Sequence, residues 1–225
     1  MMERAQTMAF AAGALVFPGG RIEEADQAFA HGAFSQVDDG AARVAAIRET
    51  IEETGIGAGL SPQPEVETLA ALRAELAGGA SFRALLERYS IALDLAALTP
   101  FARWCPNFRE ARRFDTFFYL AEAPPGAGVT SADQTEAVST FWASAAEVIG
   151  DIEAGRAHAI FPTRRNLERL ARFASIEEAR ADAALYPVRK ITPWVEERDG
   201  RRFVVIPDDA GYSVTAEPYE TARRR

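Results

Sequence analysis

The sequence predicts an α/β fold in a single domain, and three observations support this prediction. A compact apolar segment at residues 14–17 stops at Pro18-Gly19-Gly20, as a buried strand running into a turn does. A long segment with helical periodicity follows at residues 41–54. Two more apolar segments, at residues 101–105 and 114–120, are typical of strands that join a sheet.

The helix at residues 41–54 has the clearest pattern in the chain. Val44, Ile47 and Ile51 recur at i, i+3 and i+7, so they form one apolar stripe. Asp38 or Asp39 can cap its start, and Gly55 can close its end. Residues 20–39 before it are polar and acidic, and we expect mostly loop there, with one short helical turn around residues 25–30.

The remaining elements follow from periodicity, caps and turn residues. A single domain over residues 1–225 is expected, with a C-terminal hairpin and tail at 186–225. Only residues 1–4 precede the polar residues 5–7, so the first strand is expected to be incomplete. The other predicted elements are helices at 65–77, 82–89 (capped by Ser81), 144–155 and 163–184 (broken near Ser175), a strand at 140–142, and a hairpin at 194–206 turning at Asp199-Gly200.

The net charge and the single cysteine limit which molecules the protein can bind and which compartment suits it. The formal charge of -8 and the pI near 5.0 argue against a nucleic-acid or anionic-membrane surface, because both need an excess of basic residues. An acidic protein can still bind a polyphosphate when divalent cations lie between the two. The lone Cys105 forms no intrachain disulfide, which suits a reducing, cytoplasmic setting. A homodimer is compatible with the sequence.

Three carboxylates share the polar surface of the predicted helix. Glu49 and Glu53 fall nearly opposite the apolar stripe, and Glu52 lies on its flank. At spacings of three and four residues they can converge on a hard, oxygen-seeking cation such as Mg²⁺ or Mn²⁺. Arg48, one turn before Glu52, can hold a carboxylate in a fixed rotamer. In isolation, an ordinary solvated helix face explains the same pattern.

The string Arg48-Glu-Thr-Ile-Glu-Glu-Thr-Gly-Ile56, downstream of Phe17-Pro-Gly-Gly20, resembles the Nudix box, whose pattern is G-x5-E-x7-R-E-U-x-E-E-x-G-U with U apolar. Gly20 lies 28 positions before Arg48, whereas the pattern places its glycine 14 before, so about 14 residues are inserted. Asp26 stands at the nominal position of the first acidic residue. The enlarged loop, with the segments at 100–104, 113–118 and 161–170, resembles the peroxisomal acyl-coenzyme A diphosphatase subgroup and its bacterial relatives.

The resemblance implies a Nudix α/β/α sandwich with a mixed β-sheet, an insertion inside the box and extra C-terminal helices. It implies Mg²⁺ or Mn²⁺ as cofactor, bound by Glu49, Glu52 and Glu53 and by the carbonyl of Gly19. The substrate it implies is a small nucleoside diphosphate linked to another group. The chemistry is attack of water on one phosphorus of the diphosphate.

Further candidates lie outside the box. One of the three glutamates or Glu136, in a loop, can act as the base, and Arg21, Arg112 and Arg113 can bind substrate phosphate. Asp115 is expected to be a buried structural acid. A set of arginines on a later helix is expected to form a solvated face, with a 3′-phosphate subsite as the alternative: Arg164, Arg165 and Arg169.

Three functions remain open from the sequence. The preferred one is cleavage of coenzyme A or acyl-coenzyme A to 3′,5′-ADP and (acyl-)phosphopantetheine, which the inserted loop and the subgroup resemblance favour. The second is the same reaction on ADP-ribose or a dinucleotide such as NADH. The third is a catalytically silent module that binds a nucleotide, which the three clustered carboxylates argue against.

Overall fold

The computed structural model describes residues 1–5, 11–106, 114–128 and 137–222. The helices are α1 (Glu24–Ala33), α2 (Gly40–Thr54), α3 (Val66–Ala77), α4 (Phe82–Tyr89), α5 (Ala145–Glu153), α6 (Phe161–Leu170), α7 (Ile176–Leu185) and α8 (Tyr219–Ala222). The strands are β1 (Met2–Arg4), β2 (Leu15–Val16), β3 (Leu60–Ser61), β4 (Ala92–Leu93), β5 (Thr99–Trp104), β6 (Thr116–Leu120), β7 (Ala137–Thr140), β8 (Lys190–Ile191), β9 (Trp194–Arg198), β10 (Arg201–Val205) and β11 (Ala216–Pro218). Within this part of the chain, no helix combines the length and apolarity needed to cross a bilayer.

Most of the predicted elements are confirmed, because their capping and turn residues adopt the expected conformations. Gly55 ends α2 in the left-handed region at φ 71°. Ser175 caps α7 by accepting a hydrogen bond from Glu178 N, which separates α6 from α7. Asp199 and Gly200 have φ of 51° and 73° in the turn between β9 and β10. The strand predicted at 140–142 instead lies earlier, at Ala137–Thr140.

The short helical turn expected around residues 25–30 is confirmed as part of α1, but the expectation of mostly loop at residues 20–39 is wrong, because α1 occupies ten of these residues. Asp26 and Ala30, one helical turn apart, are its buried residues. The backbone N–H of Glu23 donates to the Asp26 carboxylate at 2.9 Å at the start of the helix. The helix is therefore amphipathic with a narrow and partly charged inner face, which hydrophobic periodicity does not detect.

The chain divides into two compact units: unit 1 comprises residues 1–2, 17–98 and 121–141, and unit 2 comprises 3–16, 99–120 and 142–225. In unit 1, the apolar stripe of α2 is fully buried, with Val44, Ile47 and Ile51 at most 1% exposed. Strands β3 and β4 pair antiparallel, with Leu60 opposite Leu93, and α3 and α4 lie between them in sequence. The carbonyl of Met1 accepts a hydrogen bond from Phe141 N at 3.0 Å.

Unit 2 contains a mixed sheet and an antiparallel sheet. Strand β5 pairs antiparallel with β6 and parallel with β8, and β10 pairs antiparallel with β9 and β11. Arg4 N donates to Ala14 O at 3.1 Å, so residues of β1 also form backbone pairing here. The core surrounds Trp104, which is fully buried, and includes Phe101, Phe161, Ile191, Val204, Ile206 and Tyr212. The predicted mixed α/β class with a mixed sheet is confirmed, whereas one domain over 1–225 stays a prediction.

Candidate active site

The four charged residues predicted to form the site all lie on α2, but they are not an ordinary solvated face. Arg48 and Glu53 are buried, at 6% and 7% exposure. The side chains of Glu49 and Glu52 are 15% and 28% exposed. Charged groups are buried at this level only when they have partners, so the contacts of each one define what the site can do.

Arg48 holds three carboxylates at once. Its Nε and Nη2 donate to the two carboxylate oxygens of Asp26 at 3.0 and 2.9 Å. Its Nη1 donates to Glu52 at 2.9 Å, and Nη2 forms an ion pair with Glu49 at 3.0 Å. Nη2 also donates to the carbonyl of Arg21 at 3.0 Å. The planar guanidinium therefore fixes the positions of the acidic side chains around it.

Asp26 is the member of this group whose role the sequence did not secure. It is 2% exposed and forms a two-point contact with Arg48 from α1. Its spacing from Gly20 equals that of the first acidic residue of the box, so the signal was present in the sequence. The extra residues consequently lie between Asp26 and Arg48, in the rest of α1 and the segment that follows it.

The Pro18-Gly19-Gly20 turn packs directly against the carboxylates of α2. Gly19 has φ of 147°, a conformation that favours glycine, and its N–H donates to the Glu53 carboxylate at 2.6 Å. A Cβ added at Gly20 would overlap the carboxyl group of Glu49. Gly19 is therefore favoured for its backbone angle, and Gly20 allows the carboxyl group of Glu49 to approach the turn closely.

Two of the carboxylates of α2, those of Glu49 and Glu52, are held in an environment that resists their ionisation. Burial raises the pKa of Glu49 to about 7, and the nearby charge of Glu52 adds to this effect, while Arg48 opposes it. Burial likewise raises the pKa of Glu52, again against the effect of Arg48. Burial alone would lower the pKa of Arg48, but the hydrogen bond to Asp26 and the surrounding carboxylates keep it raised, so the guanidinium stays charged.

The chemistry of this donor set suits a hard divalent cation. The three glutamates offer only oxygen atoms, and Gly20 leaves room for the carboxyl group of Glu49 beside the turn. In the described residues, no three His, Cys, Asp or Glu side chains are gathered as a preformed metal cage. Arg48 and the N–H of Gly19 instead occupy the carboxylates. A cation would therefore compete with these internal partners for the carboxylates.

Of the predicted site residues outside α2, Arg21 lies within the described part of the chain and three others do not. The side chain of Arg21 is exposed next to the turn, while its carbonyl is used by Arg48. Glu136, Arg112 and Arg113 lie outside the described residues. Their predicted roles stay predictions.

The solvated face predicted for the arginines of α6 is wrong for two of them. Arg165 and Arg169 are each 2% exposed. Arg165 pairs with Glu168 at 2.7 Å and with Glu217 at 3.2 Å. Arg169 donates to Asp182 at 2.8 Å and to the carbonyl of Phe101 at 2.9 Å. Both guanidinium groups are thus bound by unit 2's own acceptors, as buried charges must be.

Asp115 is also placed differently from the expectation. It is an ion-paired acid, but it lies at the surface, with its side chain 35% exposed. Arg103 donates to both of its oxygens, at 2.8 and 3.0 Å, and Lys190 lies at 3.6 Å. The hydrogen bond from Arg103 lowers the pKa of Asp115. Asp115 is therefore exposed and fixed by Arg103, rather than being a buried structural acid.

Comparison with known proteins gives one structural likeness. A crystal structure of a Nudix hydrolase from Alicyclobacillus acidocaldarius matches the chain with a TM-score of 0.70 and 27% sequence identity, over 80% of this chain and 86% of that one. No family model and no curated protein sequence matches. The predicted fold class is therefore confirmed as Nudix-like. The likeness supports the Nudix superfamily and, with it, a hydrolase that acts on pyrophosphate bonds.

Proposed function

We propose that this chain is a Mg²⁺- or Mn²⁺-dependent diphosphatase that cleaves the diphosphate of a nucleoside diphosphate linked to another group. The observation that carries the proposal is the contact between the Pro-Gly-Gly turn and the carboxylates of α2. Gly19 N–H binds Glu53 at 2.6 Å, and Gly20 makes room for Glu49. Two segments that are about thirty residues apart in sequence thus form one acidic site.

In this proposal, Glu49, Glu52 and Glu53, with the carbonyl of Gly19, hold the cations. Bound divalent cations neutralise the diphosphate and lower the pKa of a water molecule. The protein itself carries a formal charge of -8, so its own surface does not favour a polyphosphate. The acidic helix therefore depends on the cations to bind substrate.

The proposed role of Arg48 is to hold the acidic side chains of the site in position rather than to bind substrate. All the donor groups of Arg48 that are described point to Asp26, Glu49, Glu52 and the carbonyl of Arg21. Because its pKa is raised, it remains a cation throughout the working pH range. It therefore balances the negative charge of the carboxylates before any cation binds.

The base that accepts the proton of the attacking water is proposed to be one of the α2 glutamates, or Glu136. Arg21, whose exposed side chain follows the turn, is proposed to contact a substrate phosphate together with Arg112 and Arg113.

Coenzyme A or an acyl-coenzyme A is the proposed substrate, with 3′,5′-ADP and (acyl-)phosphopantetheine as products. Support comes from the subgroup resemblance and from the insertion between Asp26 and Arg48, which adds most of α1 next to the site. ADP-ribose or a dinucleotide such as NADH is the alternative substrate class. Selectivity depends on how the surrounding loops and helices meet the group beyond the diphosphate.

A panel assay tests this proposal. Coenzyme A, acetyl-coenzyme A, ADP-ribose and NADH are incubated with the full chain and Mg²⁺ or Mn²⁺, and the products are identified by mass. Formation of 3′,5′-ADP from the coenzyme A compounds is expected. Hydrolysis confined to ADP-ribose or NADH would refute coenzyme A as the substrate, but it would agree with the proposed reaction. Nucleotide binding without any turnover would instead indicate the silent module.

The metal-binding role is tested by Glu52→Gln and Glu53→Gln, which remove a negative charge without changing size. Each is expected to lower metal-dependent kcat/KM at least about tenfold, by analogy with losses at metal sites. Glu87→Gln is the matched control, because Glu87 lies on α4 with a 65% exposed side chain and pairs only at the surface with Arg83. Full activity in both site variants would contradict the assignment.

A further inference from the structure

Arg73, on α3, reaches back to the end of the carboxylate helix. Its Nε donates to the carbonyl of Glu52 at 2.9 Å, and its Nη2 donates to the carbonyl of Glu53 at 3.0 Å. One guanidinium thus binds the backbone of two consecutive residues, and both carry proposed metal-binding side chains. Arg73 itself is only partly buried.

The end of a helix is where such a contact has the largest effect. The last four carbonyl groups of an α-helix lack partners within the helix, so they need other donors. In α2, Gly55 N donates to the carbonyl of Ile51 at 2.8 Å. The hydroxyl of Thr54 donates to the carbonyl of Thr50 at 2.5 Å. Arg73 supplies donors to the next two carbonyls. Its positive charge also lies at the negative end of the helix dipole, which is favourable.

The helix that carries Arg73 is firmly anchored. Leu72 and Leu76 are 0% and 5% exposed, so α3 presents an apolar side to the core of unit 1. The α3–α4 pair is inserted between the paired strands β3 and β4, which fixes both of its ends. Arg73 therefore connects an anchored element to the last turn of α2.

We propose that Arg73 is a positioning residue that fixes the last turn of α2, so that Glu52 and Glu53 hold a metal ion in a defined geometry. The inference rests on the proposed function, and it assigns a role to a residue outside the Nudix box. Without Arg73, the last turn frays, because two carbonyls lose their donors. The carboxylates then sample several positions and bind a cation more weakly.

The test compares Arg73→Ala and Arg73→Lys with Arg83→Ala in the full chain. Arg83 is the matched control, since it lies on the neighbouring helix with its side chain 58% exposed and pairs with Glu87. Mn²⁺ binding is measured by calorimetry, turnover by kcat and KM, and the order of the last turn of α2 by amide hydrogen exchange. Thermal unfolding verifies that each variant is folded.

For Arg73→Ala we expect Mn²⁺ affinity to fall about tenfold, with a similar loss of kcat and little change in KM. Amide exchange in residues 50–56 should accelerate in this variant and not in Arg83→Ala. Lysine keeps the positive charge but lacks the planar pair of donors with which Arg73 binds both carbonyls, so Arg73→Lys should restore part of the affinity. Unchanged Mn²⁺ affinity in folded Arg73→Ala, or an equal loss in Arg83→Ala, would overturn the inference.

Failure of the proposed function is distinguishable from failure of this inference. Wild-type protein that binds no Mn²⁺ and hydrolyses no diphosphate would refute the proposed function. The hydrogen-exchange comparison still decides the inference in that case. Faster exchange at the end of α2 in Arg73→Ala alone supports positioning, and identical exchange in both variants refutes it.

Discussion

Exchanging Asp26 for asparagine is expected to destabilise the protein by about 3 kcal/mol, the lower end of the cost of breaking a buried ion pair. The side chains of Asp26 and Arg48 are 3% and 8% exposed, so little solvent replaces the lost charge. Asparagine keeps the size and one acceptor oxygen. Glu52 and Glu49 continue to pair with Arg48, and for this reason we expect the lower end rather than the upper.

The assay is urea unfolding of the metal-free protein, with the free energy of unfolding obtained by linear extrapolation. Asp151→Asn is the matched control, because Asp151 pairs with Arg156 at the surface, with side chains 47% and 67% exposed. Loss of the ion pair between Asp151 and Arg156 should leave the unfolding midpoint almost unchanged, as is usual for exposed pairs. The change of about 3 kcal/mol for Asp26→Asn corresponds to a factor of more than 100 in the folding equilibrium.

An equal effect of the two substitutions would refute the reasoning. It would mean that the Asp26–Arg48 contact is no stronger than a solvated pair. A second refuting result is a loss of activity in Asp26→Asn with no loss of stability, which would place Asp26 among the reacting groups instead. We expect activity to fall as well, because Arg48 then holds Glu49 and Glu52 less firmly.

Two further predictions concern the same site. Glu49 has a folded-state pKa of about 7, above its unfolded value, so the metal-free protein should lose stability as pH rises from about 4.5 to about 7. Glu49→Gln should remove this loss, on the order of 3 kcal/mol, when urea unfolding is measured at pH 5 and pH 8, and parallel profiles for the two proteins would contradict it. Gly20→Ala adds a methyl group where the Glu49 carboxyl group lies, and should lower Mn²⁺ affinity at least about tenfold in calorimetry while leaving the protein folded. Gly150→Ala is its control, since Gly150, like Gly20, has no positive φ but has open space around its Cβ position, and equal affinities in both variants would show that the turn does not shape the site.

Much of the fold could be predicted because its signals are local. The end of α2 follows from Gly55, which adopts φ of 71° at little cost. The turn at Asp199-Gly200 has the two positive φ angles that this residue pair accepts readily. The break before α7 follows from Ser175, whose hydroxyl accepts the hydrogen bond from Glu178 N. In each case the residues that give the signal are within four positions of the structure they produce.

The candidate site was predictable in part for a different reason. The chemical types and spacings on α2 are fixed by the sequence, since the helical period places Glu49, Glu52 and Glu53 near one another. Which partners these carboxylates take is not fixed by that period. Asp26 and the Pro-Gly-Gly turn come from other segments, so their contacts with α2 depend on how α1 and the turn pack in unit 1.

The sequence by itself determined the mixed α/β class, the bounds of most helices and the acidic character of α2, because these follow from short-range periodicity, caps and turns. Tertiary structure alone decided that residues 24–33 are helical, that Arg165 and Arg169 are buried, and that Arg73 binds the end of α2. For helix α1 and for the two buried arginines, the physical reason is the same. A buried charge is stable only beside its partner, and the partners Glu217, Asp182 and Arg48 lie 13 to 52 positions away in the chain.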